Sequence, residues 1–312
     1  METETAVNGA SAPTPTKAPT KKVSKLKAID PKAAEPSKPK ILIFGKAGVG
    51  KTWTSLDFPG VFYIDTEGGA NRDQYTDKLH KSGGMYFGPE QGSLDGNSII
   101  EQIQALATEE HTLKTVVIDS LSKIFNKIVA DEAEKLGEKD VFGASKKPAL
   151  AWIRRLLNWT DRTDMNFIFV CHQKEEWAGS GTARESVGQT FDAWEKLEYE
   201  LDLALQIQKR GTSRVAVPRK SRLIGFPEAE AFPWSYPEFA KRYGQEVIER
   251  KSKTIELATA EDIQEVTRLL EVVKMSEEEI AKWFTKAKVT SWQEMDATTI
   301  AKCINFLKEK VK

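Results

Sequence analysis

The stretch Ile41-Leu-Ile-Phe-Gly45-Lys-Ala-Gly48-Val-Gly50-Lys51-Thr52 limits the possible folds of this chain more than any other. Ile41 to Phe44 is apolar without alternation, which reads as a strand buried on both faces. It breaks into Gly45-x-x-x-x-Gly50-Lys51-Thr52, the spacing of a phosphate-binding P-loop. Glycine admits backbone angles that a side chain forbids. The amides of Gly45, Lys46, Ala47, Gly48, Val49, Gly50, Lys51 and Thr52 can therefore turn toward one point and form an anion nest. Lys51 brings a charge to the β- and γ-phosphates, and the Thr52 hydroxyl is placed to hold Mg²⁺. The expected ligand is a nucleoside triphosphate, with ATP and Mg²⁺ as cofactors, on an α/β fold with a mostly parallel sheet.

Later apolar runs supply the partners such a loop needs. A short helix after Thr52 stops at Phe58-Pro59-Gly60, and Val61-Phe-Tyr-Ile-Asp65 is the second buried strand. It leads into Thr66-Glu67-Gly68-Gly69, at a strand end where α/β sheets place ligands. Glu67 there reads as the carboxylate that orients the attacking water, or as a helix-capping or surface acid. Ile99, Ile100, Ile103, Leu106 and Ala107 mark an amphipathic helix over 98–110. Thr115-Val-Val-Ile-Asp119 ends in an acid suited to Mg²⁺. A helix over 121–136 closes at Gly137, and another covers 149–159. Asn166 to Cys171 is a further buried strand, ending in His172-Gln173-Lys174, where a polar residue can sense a γ-phosphate. Residues 175–196 read as a mobile loop with Gly179 and Gly181 as hinges. Two strands flank Arg210-Gly211-Thr212. The second leads to Lys220 and Arg222, either a solvated strand end or cations aimed at a neighbouring subunit's γ-phosphate.

Composition narrows the partners. The 312 residues carry 46 basic and 46 acidic side chains, so no global charge draws the chain to nucleic acid or membrane. No apolar h-region or bilayer-length run occurs, and an intracellular, cytoplasmic protein is expected. Residues 1–38 are rich in Ala, Pro, Thr and Lys and read as a disordered, mildly basic tail. The ATPase domain is expected over 39–245. From 254 to 312 the texture becomes short capped helices. Thr259 precedes one, and Ser276-x-x-Glu279 is a capping box opening another. This suits a small all-α C-terminal domain.

The order of these motifs resembles the RecA-like ATPase core: the P-loop, Tyr63-Ile-Asp-Thr-Glu67-Gly, Val117-Ile-Asp119-Ser120, Val170-Cys-His-Gln173-Lys and Pro218-Arg-Lys220-Ser-Arg222. Over roughly residues 38–240 it is similar to the core-only RecA-like recombination proteins of phages, the Sak-type single-strand annealing ATPases. The resemblance implies catalytic roles for Glu67, Lys51, Gln173 as the switch glutamine, and Lys220 and Arg222 acting between subunits. It implies Thr52 and Asp119 at the metal. DNA would lie along 137–148 and 174–190, with Lys139, Phe142, Lys146, Lys147, Lys174, Trp177 and Arg184 as candidate contacts. Phe142 and Trp177 would stack on bases. The implied activity is DNA-stimulated ATP hydrolysis. Partners would be single-stranded DNA, other copies in a filament or ring, and a single-strand binding protein on the C-terminal domain. The alternative is a regulatory or loader ATPase that acts on a protein partner through its C-terminal helices.

Overall fold

A computed structural model describes residues 30, 32, 35–69, 73–141, 143–179 and 184–311. The chain divides into two compact units, residues 1–36 and 37–312. In the first, described at only four positions, the Lys32 amide donates to Asp30. The expected tail therefore lies almost wholly outside the described residues.

The second unit is built on a sheet in the order β3-β2-β4-β5-β1-β7-β8-β9. Its strands are β1 (Lys40–Gly45), β2 (Val61–Asp65), β3 (Met85–Phe87), β4 (Thr115–Asp119), β5 (Asn166–Ala178), β7 (Leu203–Arg210), β8 (Ser213–Ser221) and β9 (Phe232–Pro233), while β6 (Glu185–Phe191) pairs with the outer half of β5. The pairs β1–β5, β1–β7, β2–β3, β2–β4 and β4–β5 are parallel, and the later hairpins are antiparallel. This is the mostly parallel α/β core expected.

Alternate residues of the central strands feed two separate cores. Leu42, Phe44, Phe62, Ile64, Val116, Ile118, Phe167 and Phe169 face one side. There they meet α3 (Gly96–Thr108), α4 (Leu121–Leu136), α5 (Lys146–Arg162) and Leu197 of α6 (Leu197–Glu200). Ile41, Ile43, Val61, Tyr63, Val117, Ile168 and Val170 face the other side. That side is covered by Leu56 and Phe58 after α1 (Lys51–Ser55), by Leu79 of α2 (Asp73–Lys81), and by residues of α7 (Tyr236–Tyr243) and α8 (Gln245–Glu249). Each such side chain contributes about 1.5–3 kcal/mol through burial. Two-sided burial is why these strands are unbroken apolar runs. The Pro- and aromatic-rich stretch after residue 224 wraps the second core, where Phe226 packs on Phe232 and Phe239.

Beyond it, α9 (Ala260–Val273), α10 (Glu277–Ala287) and α11 (Ala297–Val311) enclose a third core of Val266, Leu269, Met295, Ile300, Ile304 and Leu307. Thr259 with Asp262 and Ser276 with Glu279 form complete capping boxes on α9 and α10. A buried acid ties this bundle to the sheet domain. Glu294 lies in a 3₁₀ turn (Trp292–Glu294) and is 6% exposed. Its Oε1 accepts from Arg155 Nη2 at 2.7 Å and Gln104 Nε2 at 3.1 Å. Its Oε2 accepts from the Thr290 amide and hydroxyl, both at 2.8 Å. Arg162 also donates to the Glu294 carbonyl at 2.6 Å. Burial opposes charge on this carboxyl, but its hydrogen bonds and Arg155 hold it below the usual carboxylate range. Glu294→Ala leaves those donors facing a gap. We expect a loss of about 2–4 kcal/mol, below the full figure for a buried pair because Arg155 is partly exposed. A urea titration checks this, and an unchanged midpoint contradicts it.

One sequence expectation changes, and one stretch without a sequence expectation takes regular structure. Residues 175–178 and 185–191, read as a mobile loop, are strands of a projecting hairpin. The hairpin is largely solvated, so no alternating apolar pattern announces it. The stretch between Gly69 and Ser98 holds α2 and the edge strand β3, which bury little beyond Leu79 and Phe87. Among the described residues no helix is long and apolar enough to cross a membrane.

Candidate nucleotide site

The neighbouring parallel strands β1, β2, β4 and β5 all end at the same side of the sheet. Gly45 ends β1, Asp65 ends β2, Asp119 ends β4, and Cys171 of β5 lies opposite Phe44. A cavity of about 670 Å³ opens there, lined by Gly45 to Gly48, Lys51, Thr52, Glu67, Asp119, His172 and Gln173, with Lys174 and Gln189 at its hairpin side. A neighbouring pocket of about 370 Å³ runs from Gly50 and Lys51 to Trp53, Gln74, Tyr75 and Arg214.

The loop glycines are required by their surroundings. A Cβ on Gly45 would stand 2.3 Å from the Ile207 carbonyl oxygen. Gly50 has φ of +91°, and a Cβ there would stand 2.4 Å from Arg214 Cδ. Gly50→Ala therefore meets left-handed strain of about 1–2 kcal/mol and displaces Arg214. We expect markedly weaker nucleotide binding from a folded protein, read by titration with a fluorescent ATP analogue; unchanged affinity contradicts this reading of the loop.

Lys51 Nζ donates to the Gly45 carbonyl at 2.8 Å and the Lys46 carbonyl at 3.0 Å. Burial lowers its pKa, and the charges of Asp119 and Glu67 oppose that shift. Thr52 Oγ1 donates to Asp119 Oδ2 at 2.5 Å, and Tyr63 OH donates to the same oxygen at 3.1 Å. Asp119 is buried, which raises its pKa, while the Thr52 hydrogen bond pulls the other way. A buried acid with two donors and a lysine nearby is poised to gain from a cation.

Glu67 is set by the loop after β2. Asp65 Oδ1 accepts from the amides of Glu67 at 3.1 Å and Gly68 at 2.8 Å, and Asp65 Oδ2 accepts from Tyr86 OH at 3.0 Å. Glu67 Oε1 accepts from Ser120 Oγ at 2.6 Å and lies 2.5 Å from His172 Nε2. Burial raises the Glu67 pKa, but these two hydrogen bonds and the His172 charge outweigh it and hold the carboxyl below its usual value. Gln173 Oε1 accepts from Gln206 at 3.2 Å, and Gln173 Nε2 donates to Gln189 at 3.1 Å. It thus joins β7 to the hairpin.

The other candidates fall elsewhere. Lys220 Nζ donates to the Leu201 carbonyl and Arg222 to the Tyr199 carbonyl. Lys220 lies opposite Ala204, and the adjacent Leu203 pairs with Ile41, so both cations sit at the sheet end away from this chain's own P-loop. The basic residue of that hairpin which reaches the site is Arg214, missed in the sequence. Only the β1–β7–β8 register reveals it, because the hairpin turn lies at the P-loop edge. Trp177 and Arg184 flank the hairpin tip, with the guanidinium 5.1 Å from the ring centroid. Lys174 pairs with Asp192 at 3.4 Å. Lys139 is in a 3₁₀ turn (Gly137–Lys139), and Lys146 and Lys147 open α5. Phe142 lies outside the described residues.

A family model described as an AAA domain matches residues 37–233. The chain belongs to the AAA domain family. None of the curated proteins compared matches it. Membership makes this AAA domain a P-loop nucleotide-binding ATPase and implies use of a nucleotide with Mg²⁺. The residues present fit that pair. The P-loop amides and Lys51 suit the phosphates, and Thr52 and Asp119 already share one hydrogen bond where a small oxygen-seeking cation would sit. Among the described residues no group of three or more His, Cys, Asp or Glu forms a separate metal cluster. An ion at Thr52 and Asp119 would therefore complete its shell with phosphate oxygens and water.

Proposed function

We propose that this AAA domain is a RecA-like ATPase that acts on single-stranded DNA as an oligomer and promotes annealing or pairing, as the Sak-type phage proteins it resembles do. One observation carries the reading. Gln173 lines the nucleotide cavity and is also the residue at which the projecting β5–β6 hairpin begins. A change at the γ-phosphate position would reach Trp177 and Arg184 along two paired strands. When bound, Mg-ATP supplies the reactive phosphoryl group and the divalent charge that screens it. Lys51 and the loop amides hold the phosphates. Thr52 and Asp119 hold the metal. Glu67 orients the attacking water and draws its proton, with Ser120 and His172 fixing the carboxylate. Lys220 and Arg222 face a neighbouring subunit's nucleotide, where added positive charge stabilises transfer. Lys139, Lys146, Lys147, Lys174, Trp177 and Arg184 form the DNA-facing set. The protein works in the cytoplasm.

Fluorescence anisotropy with a labelled oligothymidylate tests this. Binding should tighten with Mg-ATP and weaken steeply with salt, since phosphate contacts release counterions. No binding at low salt with nucleotide present would end the DNA reading.

A further inference from the structure

Over residues 254–311 the C-terminal bundle is mildly acidic, with eleven acids against eight basic residues, and the two signs are unevenly divided. Residues 254–279 carry eight acids against Arg268 and Lys274, whereas residues 280–311 carry six lysines against Glu294, Asp296 and Glu309. The acids of this second half are partly committed. Glu294 binds Arg155, and Asp296 accepts from Thr298 and the Thr299 amide. Two of the six lysines are also committed, Lys288 to Asp161 and Lys308 to Glu265. Lys282, Lys286, Lys302 and Lys310 form no ion pair within 4 Å among the described residues and are exposed.

Two of those four, Lys302 and Lys310, bracket an exposed aromatic ring on α11. Lys302, Phe306 and Lys310 recur at every fourth residue of α11, a spacing that places them along one helix face. Phe306 is 42% exposed, and Lys310 Nζ lies 5.0 Å from its ring centroid. Trp283 of α10 meets Phe306 edge-on at 5.7 Å, Trp292 lies 6.2 Å from Trp283, and Phe284 lies 4.8 Å from Trp292. The exposed ring is thus the outer member of a four-ring chain anchored in the bundle core. It loses little freedom when a ligand stacks on it. Glu279 faces Lys310 and Lys282, but it is engaged by Ser276 in the capping box.

We infer that the Lys302–Phe306–Lys310 ridge, with Trp283 beside it, is a docking surface for single-stranded nucleic acid. The unpaired lysines complement a phosphodiester backbone, and the fixed Phe306 ring offers a face to an unpaired base. Packing alone accounts for Trp283, Phe284 and Trp292. It leaves unexplained why the exposed end of the stack is bracketed by unpaired lysines in a bundle that is otherwise acidic. This inference rests on the DNA reading of the proposed function and moves part of the contact surface from the β5–β6 hairpin to the bundle.

The test uses the full chain with labelled oligothymidylate at low salt, read by anisotropy, against Phe306→Leu and the pair Lys302→Glu with Lys310→Glu. Phe306→Leu keeps an apolar side chain over Trp283 and removes only the π face. It should weaken binding about 5-fold or more. The lysine pair should lower the slope of log affinity against log salt by about 1.4, the value for two phosphate contacts on a single strand. ATP hydrolysis without DNA should be unchanged in all variants. If the unaltered chain binds and the variants bind equally with the same slope, this surface is wrong while the DNA reading stands. If polyglutamate competes as well as oligothymidylate at equal charge, the ridge reads charge alone and the inference fails. If the unaltered chain binds no DNA, both readings fall.

Discussion

Lys51→Ala should abolish measurable ATP turnover and weaken nucleotide binding by about 10²-fold or more, the scale for removing a preorganised charge from developing phosphate charge. The side chain has two duties in the structure. Its ammonium lies in the field of Asp119 and Glu67, and it donates to the carbonyls of Gly45 and Lys46. Removing it deprives the phosphates of their cation and leaves two carbonyl oxygens directed into an anion site. Lys51 is only half-buried and lies outside the three cores, so thermal stability should hardly change. Fluorescent-nucleotide titration beside a melting curve separates the two effects. Full affinity in the variant would mean that the loop does not grip a triphosphate.

The second large effect is at Glu67. Glu67→Gln should keep ATP affinity and lose about 10²–10⁴-fold in hydrolysis, the range for removing a positioned base. Glutamine can still accept from Ser120 but cannot take a proton. The acid limb of the pH profile follows from the depressed pKa. A carboxylate whose folded value lies below the ordinary glutamate value of 4.5 stays charged above that value and is lost only as pH falls below it. Glu67 itself should therefore not be what limits hydrolysis in mildly acidic solution. His172→Ala removes one hydrogen bond and one positive charge that depress this pKa, so the acid limb should move to higher pH. Normal turnover by Glu67→Gln would remove Glu67 from the mechanism.

The sequence makes the centre of this fold legible for a physical reason. Strands buried on both faces carry few polar residues, so β1, β2, β4 and the inner half of β5 stand out as apolar runs. Asp119 and Glu67 follow from where those runs end. The caps at Ser276 and Thr259 are equally local, each needing only a hydroxyl and an acid three residues on. What stayed hidden depends on distant partners. Arg214 approaches Gly50 only once β8 is folded against β7, and nothing near Arg214 in the sequence marks it. The role of Glu294 is equally hidden, because its main partner, Arg155, is 139 residues away. The β5–β6 hairpin reads as a loop in the sequence because strands solvated on both sides carry no apolar periodicity. Helix α2 leaves no clear apolar stripe in the sequence because it buries a single residue, Leu79.

Isothermal titration of Mg-ATP into the intact protein tests the central claim most directly. One binding event per chain is predicted, and it should vanish in Lys51→Ala. Absence of binding heat across a range of temperatures, from a chain shown to be folded, would contradict the placement of a triphosphate between Gly45 and Thr52 and everything built on it.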